Sequence, residues 1–346
     1  MDFQHMIPCL KETAHAILGV DSPTGFTARA VETAEQMARA MGYETRRSKK
    51  GNLTILVEGR DQTRTVGICA HVDTLGLMVR AITPAGELMF TKVGGAVLPS
   101  LHGEYCKIYT RDGRIYTGTI LSLSPAAHVF DDARTRPQDE QNMYVRVDEK
   151  VHSAEDVRAL GIEVGDYICY DPKTVFTDSG FLKSRFIDDK GSVSILLTLL
   201  RWMKESGKRP RCNVEVTFTV YEELGHGGAT FSPDLEELLA VDMGCVGADL
   251  NCDEYHVSIC AADSSGPFDY GMVSRLVSLA KENGIPAVLD VYPHYSSDVA
   301  VAWKSGLDAP AALIGPGVQA SHGMERTHLE AMLGTMALVE RYLDCQ

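Results

Sequence analysis

The stretch TVGICAHVD, residues 65–73, places a histidine and an aspartate directly after an apolar run. The apolar pattern predicts a buried β-strand over residues 65–70, so His71 and Asp73 follow its carboxyl end. In open α/β sheets, binding sites lie at the carboxyl ends of the strands. The stretch therefore predicts an α/β fold with a functional site at this edge of the sheet.

Further metal-ligating side chains occur in comparable settings along the chain. They are Glu222 and Glu223 after a predicted strand at 214–220, Asp249 after a predicted strand at 245–248, Asp188 and Asp189 before a predicted helix at 190–206, and His322 in a Gly-rich loop at 315–323. Each group alone has an ordinary explanation, because glutamate pairs often start solvated helices and aspartates often cap helices. Several of them nevertheless fall at the same predicted sheet edge, so all could converge on one site.

Converging carboxylates would repel one another unless cations neutralise them. Histidine nitrogen and carboxylate oxygen are the ligands that zinc-like metals take, and six coordination roles are available for a pair of ions if one carboxylate bridges them. Asp73 is expected to accept the second N–H of the His71 imidazole. Glu222 and Glu223 are adjacent in sequence, so they should point in different directions. One can then bind metal while the other takes a proton during hydrolysis.

The domain organisation is predicted from a change in the secondary-structure pattern along the chain. Residues 1–75 and 173–346 alternate helical and strand patterns, whereas residues 76–172 carry short strands and turns. Asp112-Gly113 between two apolar runs is a strong hairpin signal. The sequence predicts a discontinuous α/β domain interrupted by a small β-barrel or β-sandwich.

Composition narrows the functional classes. The 346 residues are 45% hydrophobic and 23% charged, and the formal net charge of −14 disfavours binding to nucleic acid. No apolar run approaches the roughly 20 residues that span a membrane, and the first twenty residues lack a secretory pattern. The nine cysteines form no CxxC pair, so a disulfide framework or a zinc ribbon is not indicated. A cytoplasmic protein without membrane contact is expected.

Motifs over nearly the whole chain resemble the dinuclear-metal glutamyl and deblocking aminopeptidases that assemble into tetrahedral dodecamers. The motifs are Ser22-Pro23-Thr24-Gly25, AHVDTLG at 70–76, SRFIDDKGS at 184–192, EELGHGGA at 222–229, Ala248-Asp249 and SHGMERTH at 321–328. The resemblance implies a three-layer zinc-peptidase fold that removes N-terminal residues from short peptides. It also implies that the β insertion mediates assembly and shapes the substrate chamber.

The same resemblance implies roles for individual residues, with two zinc, cobalt or manganese ions per subunit. His71 and Asp249 would hold one ion, Glu223 and His322 would hold the other, and Asp188 would bridge them. Glu222 would be the general base, with Asp73 as the partner of His71. A cis peptide bond would join Asp188 to Asp189.

Some segments depart from the family pattern. The segment around His322 is one residue shorter before its glutamate, which makes His328 a rival ligand. SSGPFDY at 264–270 and SHGMERTH look more like a side branch encoded with an osmolyte system based on N-acetylglutaminylglutamine amide. Two alternatives therefore stay open: a hydrolase of a specific acylated dipeptide amide, and an inactive scaffold or binding protein on the same fold.

Overall fold

The computed structural model describes residues 3–344 and 346, and it has the α/β architecture that the sequence predicts. Its first segment holds two helices and three strands: α1 Ile7–Leu18, α2 Ala28–Ala40, β1 Glu44–Arg47, β2 Leu53–Val57 and β3 Asp61–His71. In α1 the buried residues Leu10, Ala14, Ile17 and Leu18 recur at helical spacing. This first segment packs one apolar helix face into the core and ends at His71.

The second segment folds into a closed barrel. Its elements are β4 Gly76–Ile82, β5 Leu88–Val93, β6 Tyr105–Tyr109, β7 Ile115–Ser122, β8 Met143–Val147, α3 Ala154–Ala159 and β9 Tyr167–Tyr170. The strands close in the order β4-β5-β8-β7-β6-β9. The predicted hairpin is present, because β6 and β7 pair antiparallel around a turn in which Gly113 has a φ of 86°. The barrel strands all fall within the predicted insertion at 76–172.

The third segment returns to alternating helices and strands. Its elements are β10 Val175–Phe176, β11 Phe181–Ser184, α4 Ile187–Ser206, β12 Cys212–Thr219, β13 Leu238–Val241, β14 Gly244–Cys245, β15 Val257–Asp263, β16 Gly266–Pro267, α5 Tyr270–Glu282, β17 Ala287–Val291, α6 Asp298–Lys304, β18 Ala311–Val318, β19 Glu325–His328 and α7 Leu329–Leu343. Asp188 and Asp189 have non-helical φ and ψ values, so the regular part of α4 matches the helix predicted at 190–206.

The main sheet runs in the order β1-β2-β12-β3-β13-β18-β15-β16, with β14 paired to β18 and β17 paired to β15. The central strands β12, β3, β13 and β18 are parallel neighbours. Every residue of β18 is buried, which requires cover on both faces of the sheet. α4 packs on β3 and α7, while α6 packs on β13 and β18. No helix among residues 3–344 is both long and apolar enough to cross a membrane.

One predicted strand is wrong. The sequence predicts a strand at 245–248, but the buried strand beside β3 is β13, Leu238–Val241, with only Gly244–Cys245 forming β14. Asp242 therefore follows the strand end, and Asp249 lies in the loop beyond it. The apolar run continues past Asp242, which conceals the true end of the strand in the sequence.

Candidate metal centre

The site is built at the carboxyl ends of the parallel strands. β12 and β3 run in register to their ends, where Thr219 pairs with His71. Glu222 follows β12, and Asp242 follows β13 on the other side of β3. Because these strands end at the same edge of the sheet, the ligating side chains lie side by side.

The Asp188 carboxylate lies between two histidines. Its Oδ1 is 3.0 Å from His71 Nε2, and its Oδ2 is 3.6 Å from His322 Nε2. Glu223 Oε2 is 3.5 Å from the same nitrogen of His322. One carboxylate with an oxygen toward each histidine is the arrangement that a bridging ligand requires.

Two groups of ligand atoms lie close enough together to hold ions. The ligand atoms of His71, Asp188 and Glu223 lie within 4.8 Å of one another, and so do those of His71, Asp189 and Asp242. The Asp188–Asp189 peptide bond is cis, as the resemblance implies. Asp189 Oδ2 accepts the His71 backbone N–H at 3.0 Å, so this carboxylate also fixes the end of β3.

The proton on His71 explains why a cation belongs here. His71 Nδ1 lies 2.9 Å from the Asp73 backbone carbonyl, which can only accept, so Nδ1 carries the proton. In the neutral ring, Nε2 then faces Asp188 Oδ1 at 3.0 Å with a lone pair on each atom. A cation between them, a proton or a metal ion, is required.

The pKa values and unpaired oxygens of the surrounding carboxyls also indicate that a cation belongs here. Burial is the main cause that raises the pKa of Glu222, Glu223 and Asp189 well above the usual range, and neighbouring carboxylates add to it. Burial likewise raises the pKa of Asp242 to about 7. Glu223 Oε1 and Asp189 Oδ1 are buried without a hydrogen-bond partner among the described residues. This donor set fits divalent cations, which would neutralise the charges and use the free oxygens.

Asp73 has a wider role than the sequence predicts. Its carboxylate accepts the backbone N–H groups of Glu222 at 3.1 Å and Glu223 at 3.4 Å, and the Thr24 hydroxyl at 2.6 Å. Its Oδ1 is 3.6 Å from His71 Nδ1, too far for a good hydrogen bond. The expected bond from the imidazole is instead made to the Asp73 carbonyl, while the carboxylate positions the two glutamates.

His322 is held by the barrel segment. Its Nδ1 lies 3.1 Å from the Gly95 carbonyl, which leaves Nε2 directed at Asp188 and Glu223. The rival His328 is used elsewhere: its Nε2 bonds the Ser179 carbonyl at 2.8 Å, and its Nδ1 accepts the N–H of Glu330. The structure thus brings His322, and not His328, to the cluster.

Asp249 does not join the cluster. It is solvent-exposed, has a φ of 64°, and belongs to neither ligand group. Asp242, 4% exposed, lies instead in the second ligand group, with His71 and Asp189. The sequence analysis did not single out Asp242, which stands as one acid inside an apolar run, although that isolation is a signal of a buried carboxylate.

Glu325 is a second residue that sequence reasoning did not single out. Its Oε2 accepts the backbone N–H of Asp188 at 3.0 Å, and its Oε1 accepts that of His322 at 3.0 Å. One buried carboxylate therefore fixes the backbone of two predicted ligands. Its position three residues after His322, at the start of a strand in which Thr327 and His328 are also buried, was the available signal.

A cavity of about 640 Å³ opens beside the cluster. Its lining includes Asp188, Glu222, Glu223 and Asp242. This is the size of a typical site for a small ligand. The arrangement can hold a small substrate against buried carboxylates and histidines, which is suited to hydrolysis assisted by metal ions.

Comparisons with known proteins find similar sequences and structures. The sequence pattern of the M42 glutamyl aminopeptidases matches residues 51–338. YhfE of Bacillus subtilis (strain 168) is 41% identical over 340 residues, which cover 96% of each chain.

Solved structures match over the whole fold. A TET aminopeptidase from a marine sediment Thaumarchaeota archaeon superposes with a TM-score of 0.86 at 21% identity, covering 96% of both chains. The TET1 peptidase of Pyrococcus horikoshii, which can assemble into a tetrahedron or a large octahedral shell, has a TM-score of 0.80 at 22% identity. That match covers 98% of this chain and 99% of the other. At these identities the two structures support the fold alone.

Proposed function

The chain belongs to the M42 glutamyl aminopeptidase family of metal-dependent aminopeptidases, and on that premise we propose that it removes N-terminal residues from short peptides with two divalent ions. The observation that carries the proposal is the Asp188 carboxylate, which directs one oxygen to His71 and the other to His322. With a single metal ion, one of these pairs would need a proton as its cation.

The proposed ligands form two sets. His71 and Asp242 would hold one ion, Glu223 and His322 would hold the other, and Asp188 would be shared by both. This set keeps four of the five ligands expected from the sequence and replaces Asp249 with Asp242. Imidazole and carboxylate ligands suit zinc, cobalt or manganese. Such ions would polarise the scissile carbonyl and acidify water in the site.

Glu222 is the proposed general base. Its Oε2 is 3.8 Å from His71 Nε2, so the carboxylate borders the site without being needed to hold an ion. The Asp73 carboxylate fixes the Glu222 backbone. Glu222 would take a proton from the attacking water and deliver it to the leaving amine.

We also propose that the chain works as a homo-oligomer, and a dodecamer is the form that the resemblance implies. The Pyrococcus horikoshii TET1 peptidase shares the fold and assembles into closed shells. The barrel exposes large apolar side chains, among them Tyr105, Ile115 and Val129. Sedimentation should give a mass that is a multiple of 37.8 kDa, and a monomer at micromolar concentration would contradict this.

The activity is tested with peptide anilides that carry a free amine, beside the same compounds with an N-acetyl group. The metal-loaded protein should hydrolyse the free-amine substrates, and chelation should abolish the activity. Hydrolysis of only the acetylated or amidated dipeptides would favour the alternative hydrolase of an acylated dipeptide amide. No hydrolysis of either set by metal-loaded protein would favour the inactive scaffold.

A further inference from the structure

We infer that the cavity beside the metal centre selects peptides whose N-terminal residue is uncharged and apolar. The inference rests on the proposed function and names the substrate class of the same site. Two features carry it: the apolar part of the lining, formed by Met243, Cys245, Leu250 and Val301 and called the apolar wall below, and the absence of lysine and arginine from the lining among the described residues.

The apolar wall begins at a proposed metal ligand. Met243 directly follows Asp242, whose Oδ1 accepts the Met243 backbone N–H at 2.6 Å. The Met243 sulfur lies 3.9 Å from the Cys245 thiol. Leu250 and Val301 continue the same lining. These side chains give the cavity a soft apolar surface that suits an aliphatic, thioether or aromatic group.

The position of the apolar wall determines which part of a peptide substrate it would contact. In an aminopeptidase substrate, the scissile carbonyl lies at the catalytic groups, and the Cα of the N-terminal residue is bonded directly to it. The side chain on that Cα must therefore enter the space next to Asp188, Glu222 and Asp242. That space is the 640 Å³ cavity, which Met243 and Leu250 also line.

In the proposed site, no charge remains unpaired for a charged substrate side chain to bind. The lining carboxylates are Asp188, Glu222, Glu223 and Asp242. The two proposed divalent ions would supply an equal positive charge. Among the described residues, no lysine or arginine lines the cavity, so a glutamate side chain would find no cationic partner. His294 is at an exposed position, where solvent screens it. No carboxylate remains to pair with a lysine side chain either.

Burying an unpaired charge is far more costly than burying an apolar group of the same size. We therefore expect leucyl, methionyl and phenylalanyl anilides to exceed glutamyl and lysyl anilides in kcat/KM by about 100-fold or more. All five substrates carry the same free amine and leaving group, so the ratio reports the side chain alone.

Leu250 provides a test by charge substitution. Leu250→Arg should raise kcat/KM for the glutamyl anilide relative to the leucyl anilide by about 10-fold or more, and Leu250→Glu should do the same for the lysyl anilide. General damage to the fold cannot produce opposite preferences in the two variants. Leu289→Arg is the matched control, because Leu289 is 41% exposed and does not line the cavity. It should keep the wild-type preference.

The outcomes separate the inference from the proposed function. If wild-type protein hydrolyses the glutamyl or lysyl anilide as well as the leucyl anilide, the inference is overturned while the aminopeptidase function stands. If neither Leu250 variant shifts its ratio beyond that of Leu289→Arg, the side chain does not enter this cavity. If metal-loaded wild type hydrolyses none of the five, the proposed function itself fails.

Discussion

At the scale of single residues, Glu222 and Glu223 are neighbours in sequence but face different partners. Glu222 Oε2 approaches His71, whereas Glu223 Oε2 lies 3.5 Å from His322. The short 3-10 turn at Glu222–Leu224 separates the two directions, and Asp73 holds both backbone N–H groups. The different directions allow one glutamate to move protons while the other holds metal.

Glu222→Gln keeps the shape of the side chain and removes its basicity. We expect metal content and fold to be unchanged and turnover to fall by about 10²-fold or more. Glu223→Gln should instead lose metal, and added metal should partly restore its rate. Elemental analysis beside turnover decides this for both variants. Loss of metal from Glu222→Gln with retention in Glu223→Gln would mean that the two roles are exchanged.

Asp242 and Asp249 form a matched pair in the same segment of chain. Asp242 is buried at the end of β13, and Asp249 is exposed in the loop. Asp242→Asn should therefore lower the metal content and the turnover, because an amide is a weaker ligand than a carboxylate. Asp249→Asn should match wild type in both measurements. The reverse result would restore the assignment made from the sequence.

At the scale of elements, the barrel reaches into the catalytic domain at Gly95. A Cβ at this position would lie 2.9 Å from His322 Nδ1, so the ring would have to shift. Gly95→Ala should weaken the binding of the ion shared with Glu223 by about 10–100-fold, the usual effect of disturbing the support of a ligand. Metal titration of the variant measures this, and Gly247→Ala is the control because Gly247 has no positive φ and its Cβ would lie 3.9 Å from the nearest atom, an ordinary contact. Wild-type affinity in Gly95→Ala would contradict the role of the barrel in positioning His322.

The end of a strand could be predicted from the sequence where the apolar pattern stops at the same place as the strand. β3 stops at His71 and β12 stops before Glu222, so the site residues that follow these strands could be predicted. β13 could not be delimited, because the apolar run continues beyond Asp242 to Cys245. Only the parallel pairing of β13 with β3 determines where it reaches the edge of the sheet.

Hydrogen bonds to the backbone were also beyond the reach of sequence patterns. Glu325 accepts the N–H groups of Asp188 and His322, which are far apart in the chain. Gly95 belongs to the barrel insertion and still orients His322. Such contacts depend on how the two parts of the fold meet, and neither residue type nor spacing carries that information.

At the scale of the whole molecule, the buried carboxyls link stability to metal and to pH. The pKa of Asp242 is raised to about 7, and those of Glu222 and Glu223 are raised as well. A raised pKa in the folded state contributes stability that is complete below the unfolded pKa of about 4 and is lost as the pH rises through the folded value. Burial alone would raise the pKa of Asp188, but the hydrogen bond with His71 lowers it. The contribution of Asp188 to stability therefore changes with pH in the opposite direction.

Metal-free protein should therefore lose stability as the pH rises, whereas bound cations remove the repulsion and bind more tightly as the ligands lose protons. We expect the difference in Tm between metal-loaded and metal-free protein to grow between about pH 5 and pH 8. Calorimetry of both forms across this range measures the difference. A difference that shrinks with rising pH would show that these carboxyls are not neutralised by the metal.

The most direct test is to titrate metal-free protein with zinc or cobalt while measuring turnover of a leucyl anilide. The proposed role of Asp188 as a ligand shared by two ions predicts that activity saturates at about two ions per 37.8 kDa chain. Saturation at one ion, or full turnover in protein shown by elemental analysis to be free of metal, would contradict the two-metal account.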